Sequence, residues 1–150
     1  MKLGKSILAL AALISLSANV MANEFTNSVP AVQGYDVVSY QTGKRPVRGN
    51  GHFTAVHNGA TYLFSSSANQ KLFEQSPEKY VPAYGGYCAF GVSVGKKFIA
   101  DPEVWRIVDG RLYLNLDTAI QADWLKDVPG RIATADRNWK EIKDKNPASL

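Results

Sequence analysis

The stretch His52-Phe53-Thr54-Ala55-Val56-His57-Asn58-Gly59-Ala60-Thr61-Tyr62-Leu63-Phe64-Ser65 carries the first decision about the fold. Asn58-Gly59 supplies the two positive-φ positions of a type I′ turn, and strand-forming residues flank it on both sides. The segment therefore predicts a β-hairpin with a two-residue loop. Such a loop fixes the register. His57 should face Ala60, Ala55 face Tyr62 and Phe53 face Phe64 on one side, while Val56 meets Thr61, Thr54 meets Leu63 and His52 meets Ser65 on the other. The two histidines are separated by an odd number of positions, so they should point to opposite faces and not share one metal ion.

Working outward, Asp109-Gly110 predicts a second hairpin of the same kind. Trp105, Ile107, Leu112 and Leu114 lie on its inner face, and Arg106, Arg111, Tyr113 and Asn115 on its polar face. The buried set expected from the two hairpins is Phe53, Tyr62, Phe64, Trp105, Ile107, Leu112 and Leu114. Helical signals fall between and after them. Ser66 or Ser67 can cap a helix carrying Ala68, Leu72 and Phe73, which Ser76-Pro77 closes, and Pro77 can open a short turn toward Tyr80. Asp117 or Thr118 can cap another, with Ile120, Trp124, Leu125 and Val128 on one stripe. Pro129-Gly130 should stop it, and a last helix from about Arg131 presents Ile132, Ala135, Trp139 and Ile142 at helical spacing. The pattern is α+β, a small single domain with two β-hairpins packed against several short helices. Only the turns of the two hairpins match, so no internal repeat is expected.

The chain has 150 residues, of which 45% are hydrophobic and 11% aromatic, enough for one core and too few for two large domains. Met1 to Ala22 combines Lys2 and Lys5, an apolar run from Ile7 to Leu16, and Val20-Met21-Ala22 before a plausible cut, the layout of a secretory signal peptide. The run is shorter than the ~20 residues that span a bilayer. The expected organisation is a signal peptide over 1–22, a flexible lead over 23–30, the domain over 31–143 and a flexible tail over 144–150. The mature protein would then be exported, periplasmic or secreted, with no membrane span. Removing Lys2 and Lys5 lowers the formal charge of +4. The remaining basic runs, Lys44-Arg45 with Arg48 and Lys96-Lys97, are short loop clusters, so nucleic-acid binding is not expected.

Chemistry concentrates in Tyr84-Gly85-Gly86-Tyr87-Cys88-Ala89-Phe90-Gly91. Two adjacent glycines permit backbone geometry closed to most residues, immediately before the only cysteine of the chain. If a helix begins after Gly86, its first-turn N–H groups favour a thiolate at Cys88. An unpaired thiol in an oxidising compartment is buried, metal-bound or meant to react, and the sequence leaves these alternatives open. Tyr84, Gly85, Gly86 and Tyr87 are the candidate pocket around it. Both histidines lie upstream of Cys88, which does not fit a papain-like order, and no Gly-x-Ser-x-Gly, His-Glu-x-x-His or Cys-x-x-Cys motif is present.

Four segments together resemble the exported branch of the YHS-domain family: Gly34 to Tyr40, His57 to Ser66, Phe73 through Ser76-Pro77-Glu78-Lys79-Tyr80, and Tyr84 to Gly91. The resemblance covers most of Ala31 to Trp139 and implies a small α+β metal-associated module. Some similar sequences carry selenocysteine at the position of Cys88, which implies redox or metal chemistry there. The cysteines of the broader family fall here on Ser39, Ser65 and about Asn69, none a soft ligand, so the resemblance transfers fold better than ligation.

The resulting expectation is an exported YHS-like binding protein in which Cys88 is a soft-metal ligand or a redox thiol. Copper(I) is the cofactor that fits two donors, with Cys88 and His57 (or His52) as ligands, because structural zinc wants four. The alternatives are a thiol-dependent oxidoreductase that uses a redox partner protein for lack of a resolving cysteine, and an interaction module in which Cys88 is structural.

Overall fold

A computed structural model describes residues 28–150; the signal peptide and most of the lead expected from the sequence lie outside the described residues. The elements in chain order are α1 (Ser39–Thr42), β1 (Asn50–His57), β2 (Ala60–Phe64), α2 (Ser67–Gln75), α3 (Pro77–Tyr80), α4 (Ala89–Ser93), β3 (Asp101–Val108), β4 (Arg111–Asn115), α5 (Thr118–Trp124) and α6 (Val128–Ile142). The strands form two separate antiparallel hairpins. Short helices pack against both, so the domain is α+β as the sequence indicates.

Asn58 and Asp109 adopt φ of 50° and 49°, and the glycines after them 76° in both cases, the geometry a primed two-residue turn requires. The pairs His57 with Ala60, Val56 with Thr61, Ala55 with Tyr62 and Thr54 with Leu63 form as expected. Farther from the turn the register departs from the expectation. Phe64 pairs with Asn50, not Phe53, because β1 carries extra residues between Asn50 and Thr54. The irregularity is held by Asn50 Oδ1, which accepts the His52 N–H at 3.0 Å. The alternation nevertheless survives, with His52 exposed and His57 half-buried beside Phe53 and Ala55.

The second hairpin repeats the first in detail, which corrects the expectation of no internal repeat. It skips register between Asp101 and Trp105, pairing Asp101 with Asn115 and Trp105 with Leu114. Asp101 Oδ1 accepts the Glu103 N–H at 2.8 Å, the counterpart of the Asn50 bond. Before each hairpin, a Pro-Ala-x-x-Gly-Tyr turn bridges to the strand entry, Tyr35 with Arg48 and Tyr87 with Ile99. After each, a side chain caps the next helix: Ser66 Oγ accepts from Asn69 N–H, and Asp117 Oδ1 from Ile120 N–H. The molecule is thus two copies of a turn, short helix, hairpin and helix unit, the second ending in the longer α6.

Apolar side chains gather accordingly in three clusters. One belongs to the first unit (Val37, Val38, Tyr62, Phe64, Phe73, Tyr80) and one mainly to the second (Tyr84, Val92, Tyr113, Trp124, Ala135, Ile142). The third is shared, joining Tyr35 and Tyr40 of the first unit to Cys88, Ala100, Leu112 and Leu114 of the second. Bonds cross the same seam: Tyr40 Oη donates to Pro102 O at 2.9 Å, Tyr35 Oη to Glu103 Oε1 at 2.7 Å and Gln33 Nε2 to Ala100 O at 2.8 Å.

The repeat explains where the sequence patterns mislead. Tyr113 and Asn115, assigned to a polar face, are buried, because β4 is covered on both sides by its own unit's helices and by the seam. Phe53, Trp105 and Ile107 are only half-buried, since their strands form the outer member of each two-stranded hairpin. Leu72 and Leu125, placed on helical stripes, are exposed, while Phe73 and Trp124 anchor their helices. Pro129-Gly130 does not separate two helices. Asp127 Oδ1 caps Gly130 N–H at 3.0 Å, and α6 begins at Val128 with Pro129 in its first turn, where a missing N–H costs nothing.

At the C-terminal end Lys97 Nζ donates to the carbonyls of Lys143 and Lys145, both at 2.6 Å, and Leu150 packs against the second cluster. Among the described residues no helix is long and apolar enough to cross a membrane.

Candidate functional site

The two Pro-Ala-x-x-Gly-Tyr turns are built alike and are strained alike. Val32 adopts φ 50°, ψ 38°, and its counterpart Tyr84 φ 55°, ψ 35°; both are left-handed conformations that L-residues avoid. For a β-branched residue such as Val32 this is a true outlier, worth on the order of 1–3 kcal/mol, and it persists only where surrounding contacts impose it. The turns approach one another across the seam, where a Cβ added to Gly86 would lie 4.0 Å from Val32 Cγ2. Both Val32 and Tyr84 wall one cavity of about 460 Å³ between the units.

The lining of this junction cavity also includes His57, Asn58, Tyr62, Glu78, Gly85, Arg111 and Trp139. His57 Nε2 lies 2.8 Å from Glu78 Oε1, and its ring meets Phe73 edge-on at 6.0 Å. Tyr84 Oη donates to Asp136 Oδ1 at 2.9 Å, and Trp139 stands edge-on to the Tyr84 ring at 5.9 Å. Burial, reinforced by the bond to Asp136, raises the Tyr84 phenol far above the ordinary tyrosine range, so it is a neutral donor and not a base. The Arg111 guanidinium lies over the Tyr84 and Tyr113 rings at 5.6 and 5.8 Å. A second cavity of about 290 Å³, mostly apolar, lies beside it, lined by Val32, Gln33, Gly85, Gly86, Tyr87 and Leu114 among others.

Cys88 lines neither cavity. It is fully buried in the shared cluster and caps α4, accepting the Gly91 N–H at Sγ at 3.4 Å. Sγ also accepts the Leu116 N–H at 3.3 Å, and the thiol reaches Asn115 Oδ1 at 3.8 Å. The backbone N–H of Cys88 donates to Phe98 O at 2.9 Å, as Asp36 N–H does to Val47 O at 2.8 Å. Cys88 therefore stands in the second unit where Asp36 stands in the first. Asp36 is equally buried and holds the matching N–H, that of Ser65, at 2.9 Å, together with Val38 N–H, Ser65 Oγ and Asn69 Nδ2.

The structure thus divides the residues singled out by sequence. His57, Tyr84 and Gly85 meet in the junction cavity, Gly85, Gly86 and Tyr87 border the smaller one, and Cys88 lies behind both in the core. His57 and Cys88, the two donors expected for copper(I), keep separate partners. The histidine is engaged by Glu78 and Asn58, the sulfur by backbone N–H groups and Asn115, and they have no partner in common. Among the described residues no group of three or more His, Cys, Asp or Glu could hold a metal ion. Val32, Glu78, Arg111 and Trp139 were not singled out. The signal that leads to them is the repeated Pro-Ala-x-x-Gly-Tyr, which places Val32 opposite Tyr84. No family model, curated protein or solved structure matches the chain.

Proposed function

We propose that the protein is an exported, YHS-like, non-catalytic binding module whose ligand site is the junction cavity, with Cys88 as an internal tie between strand β4 and helix α4. One observation carries this reading: Val32 and Tyr84, left-handed non-glycine residues at equivalent positions of the two turns, wall the same cavity. Left-handed non-glycine backbone is retained where function or packing demands it, and cavities between structural units are the usual place for small ligands. Cys88 supports the reading from the other side. Its sulfur has no exposed surface, and its position in the repeat is that of a residue, Asp36, whose polar atoms serve only the backbone and side chains around it. The signal-like segment and the resemblance to the exported YHS branch support the compartment.

The test is a small-molecule fragment screen followed residue by residue in the ¹H–¹⁵N spectrum of the protein. Binding that shifts Ala60, Gly85 and the Trp139 indole, and that survives Cys88→Ser, is the expected result. Hits centred on Cys88 and Leu116, lost in a folded Cys88→Ser variant, would replace this reading with the thiol-centred one and its redox partner.

A further inference from the structure

We infer that the junction cavity takes a small aromatic carboxylate, with the carboxylate on Arg111 and the ring against Trp139 and Tyr84; this rests on the junction cavity being the ligand site. The argument begins with charge. Three ionisable side chains other than tyrosine line the cavity: His57, Glu78 and Arg111. Glu78 has its partner in His57 at 2.8 Å. Arg111 has no carboxylate partner among the described residues; it rests on the faces of Tyr84 and Tyr113. Arg111 is therefore the charged group of the lining without a side-chain partner of opposite charge.

Geometry narrows the class. Arg111 also hydrogen-bonds the Tyr113 side chain, but a guanidinium carries five N–H donors, and those not spent on Tyr113 match the two oxygens of a carboxylate. Tyr62, Tyr84 and Trp139 supply aromatic surface beside it. The Tyr84 hydroxyl is already committed to Asp136 and Trp139 is only half-buried, so both offer ring surface more than hydrogen bonds. At about 460 Å³ the space accommodates one ring with a short acidic arm.

The probes are phenylacetate, its neutral amide phenylacetamide, and the cation phenethylamine, each titrated into the ¹H–¹⁵N-labelled protein. Phenylacetate should saturate shifts at Gly85 and the Trp139 indole and bind about tenfold or more tighter than the other two. Arg111→Gln should remove about that factor and Arg111→Lys part of it, whereas Arg106→Gln, outside the cavity, should leave binding unchanged. A thermal melt of each variant checks that it folds. If the amide or the amine shifts the same residues with equal or greater affinity, the anionic class is wrong while the site stands. If none of the three moves these residues, and the fragment screen also leaves them unmoved, the site itself is wrong.

Discussion

Cys88 and Asp36 hold equivalent places in the two units, each buried and each accepting a backbone N–H from the residue that follows the second strand of its hairpin: Leu116 for the thiol, Ser65 for the carboxylate. The equivalence is not chemical identity. Asp36 also receives Ser65 Oγ at 2.6 Å and Asn69 Nδ2 at 2.7 Å. Around Cys88 the corresponding residues are Leu116 and Ile120, which offer no side-chain donor. A cysteine side chain suits the version of the position with few polar side-chain donors, and an aspartate the version rich in them.

This sets an order of stabilities for substitutions at Cys88. Cys88→Ser keeps an acceptor for both N–H groups and should cost about 1–2 kcal/mol. Cys88→Ala leaves the Gly91 and Leu116 N–H groups unpaired and should cost about 2–4 kcal/mol. Cys88→Asp buries a carboxylate without the side-chain donors that Asp36 enjoys and should be the worst of the three. Urea unfolding of the series checks the order; Cys88→Asp as stable as Cys88→Ser would refute the comparison with Asp36.

The hairpin turns give a test of the repeat itself. Gly59 and Gly110 share φ of 76°, and open space surrounds the position of an added Cβ at both. Gly59→Ala and Gly110→Ala should therefore lose stability by backbone strain alone, about 1–2 kcal/mol each and equal within error. Clearly different losses, read from urea midpoints at unchanged slope, would mean that the two turns are not equivalent.

Stability should fall at alkaline pH. Tyr40 and Tyr84 are both raised above the ordinary value of 10.0, Tyr40 by burial and Tyr84 by burial and then its bond to Asp136. Their folded-state values exceed the unfolded value. The stabilisation is therefore complete below about pH 10 and is lost as the pH rises through the folded-state values, because the unfolded chain ionises first. Absorbance at 295 nm should show these two tyrosines ionising together with unfolding. Early, independent ionisation that disappears in Tyr40→Phe and Tyr84→Phe would contradict the burial argument.

The Val20-Met21-Ala22 pattern predicts that the exported protein begins at Asn23. Intact mass of protein recovered outside the cytoplasm checks this, and a retained Met1 would remove the case for export.

The local code was legible wherever one residue type answers one backbone need. Asn58-Gly59 and Asp109-Gly110 dictated both turns, Ser66 and Asp117 both caps, and the register near each turn followed. The register beyond Thr54 and Trp105 was not legible, because the irregularities depend on Asx bonds from Asn50 and Asp101 that no hydrophobic pattern records. The repeat escaped for a related reason. The units share Pro-Ala, Gly-Tyr and Tyr-Leu pairs, whereas equivalent core positions differ in kind, Asp36 against Cys88 and Phe64 against Asn115, so that only the backbone preserves the likeness. The same difference drew attention to Cys88 as an isolated thiol, while Arg111 and Trp139, ordinary residues in an exposed strand end and a helix, became site candidates only when the fold brought them beside Tyr84.

The most direct measurement is the rate of Cys88 alkylation by iodoacetamide as a function of urea concentration, with and without copper(I) under reducing, anaerobic conditions. A thiol that ties the core reacts only when the molecule opens. The account predicts negligible modification of the native protein, a rate that rises in parallel with the unfolded population, and no protection by copper(I) in native conditions. Rapid alkylation without urea, suppressed by copper(I), would show an accessible, ligand-competent thiol and contradict the placement of the binding site at the junction of the two units.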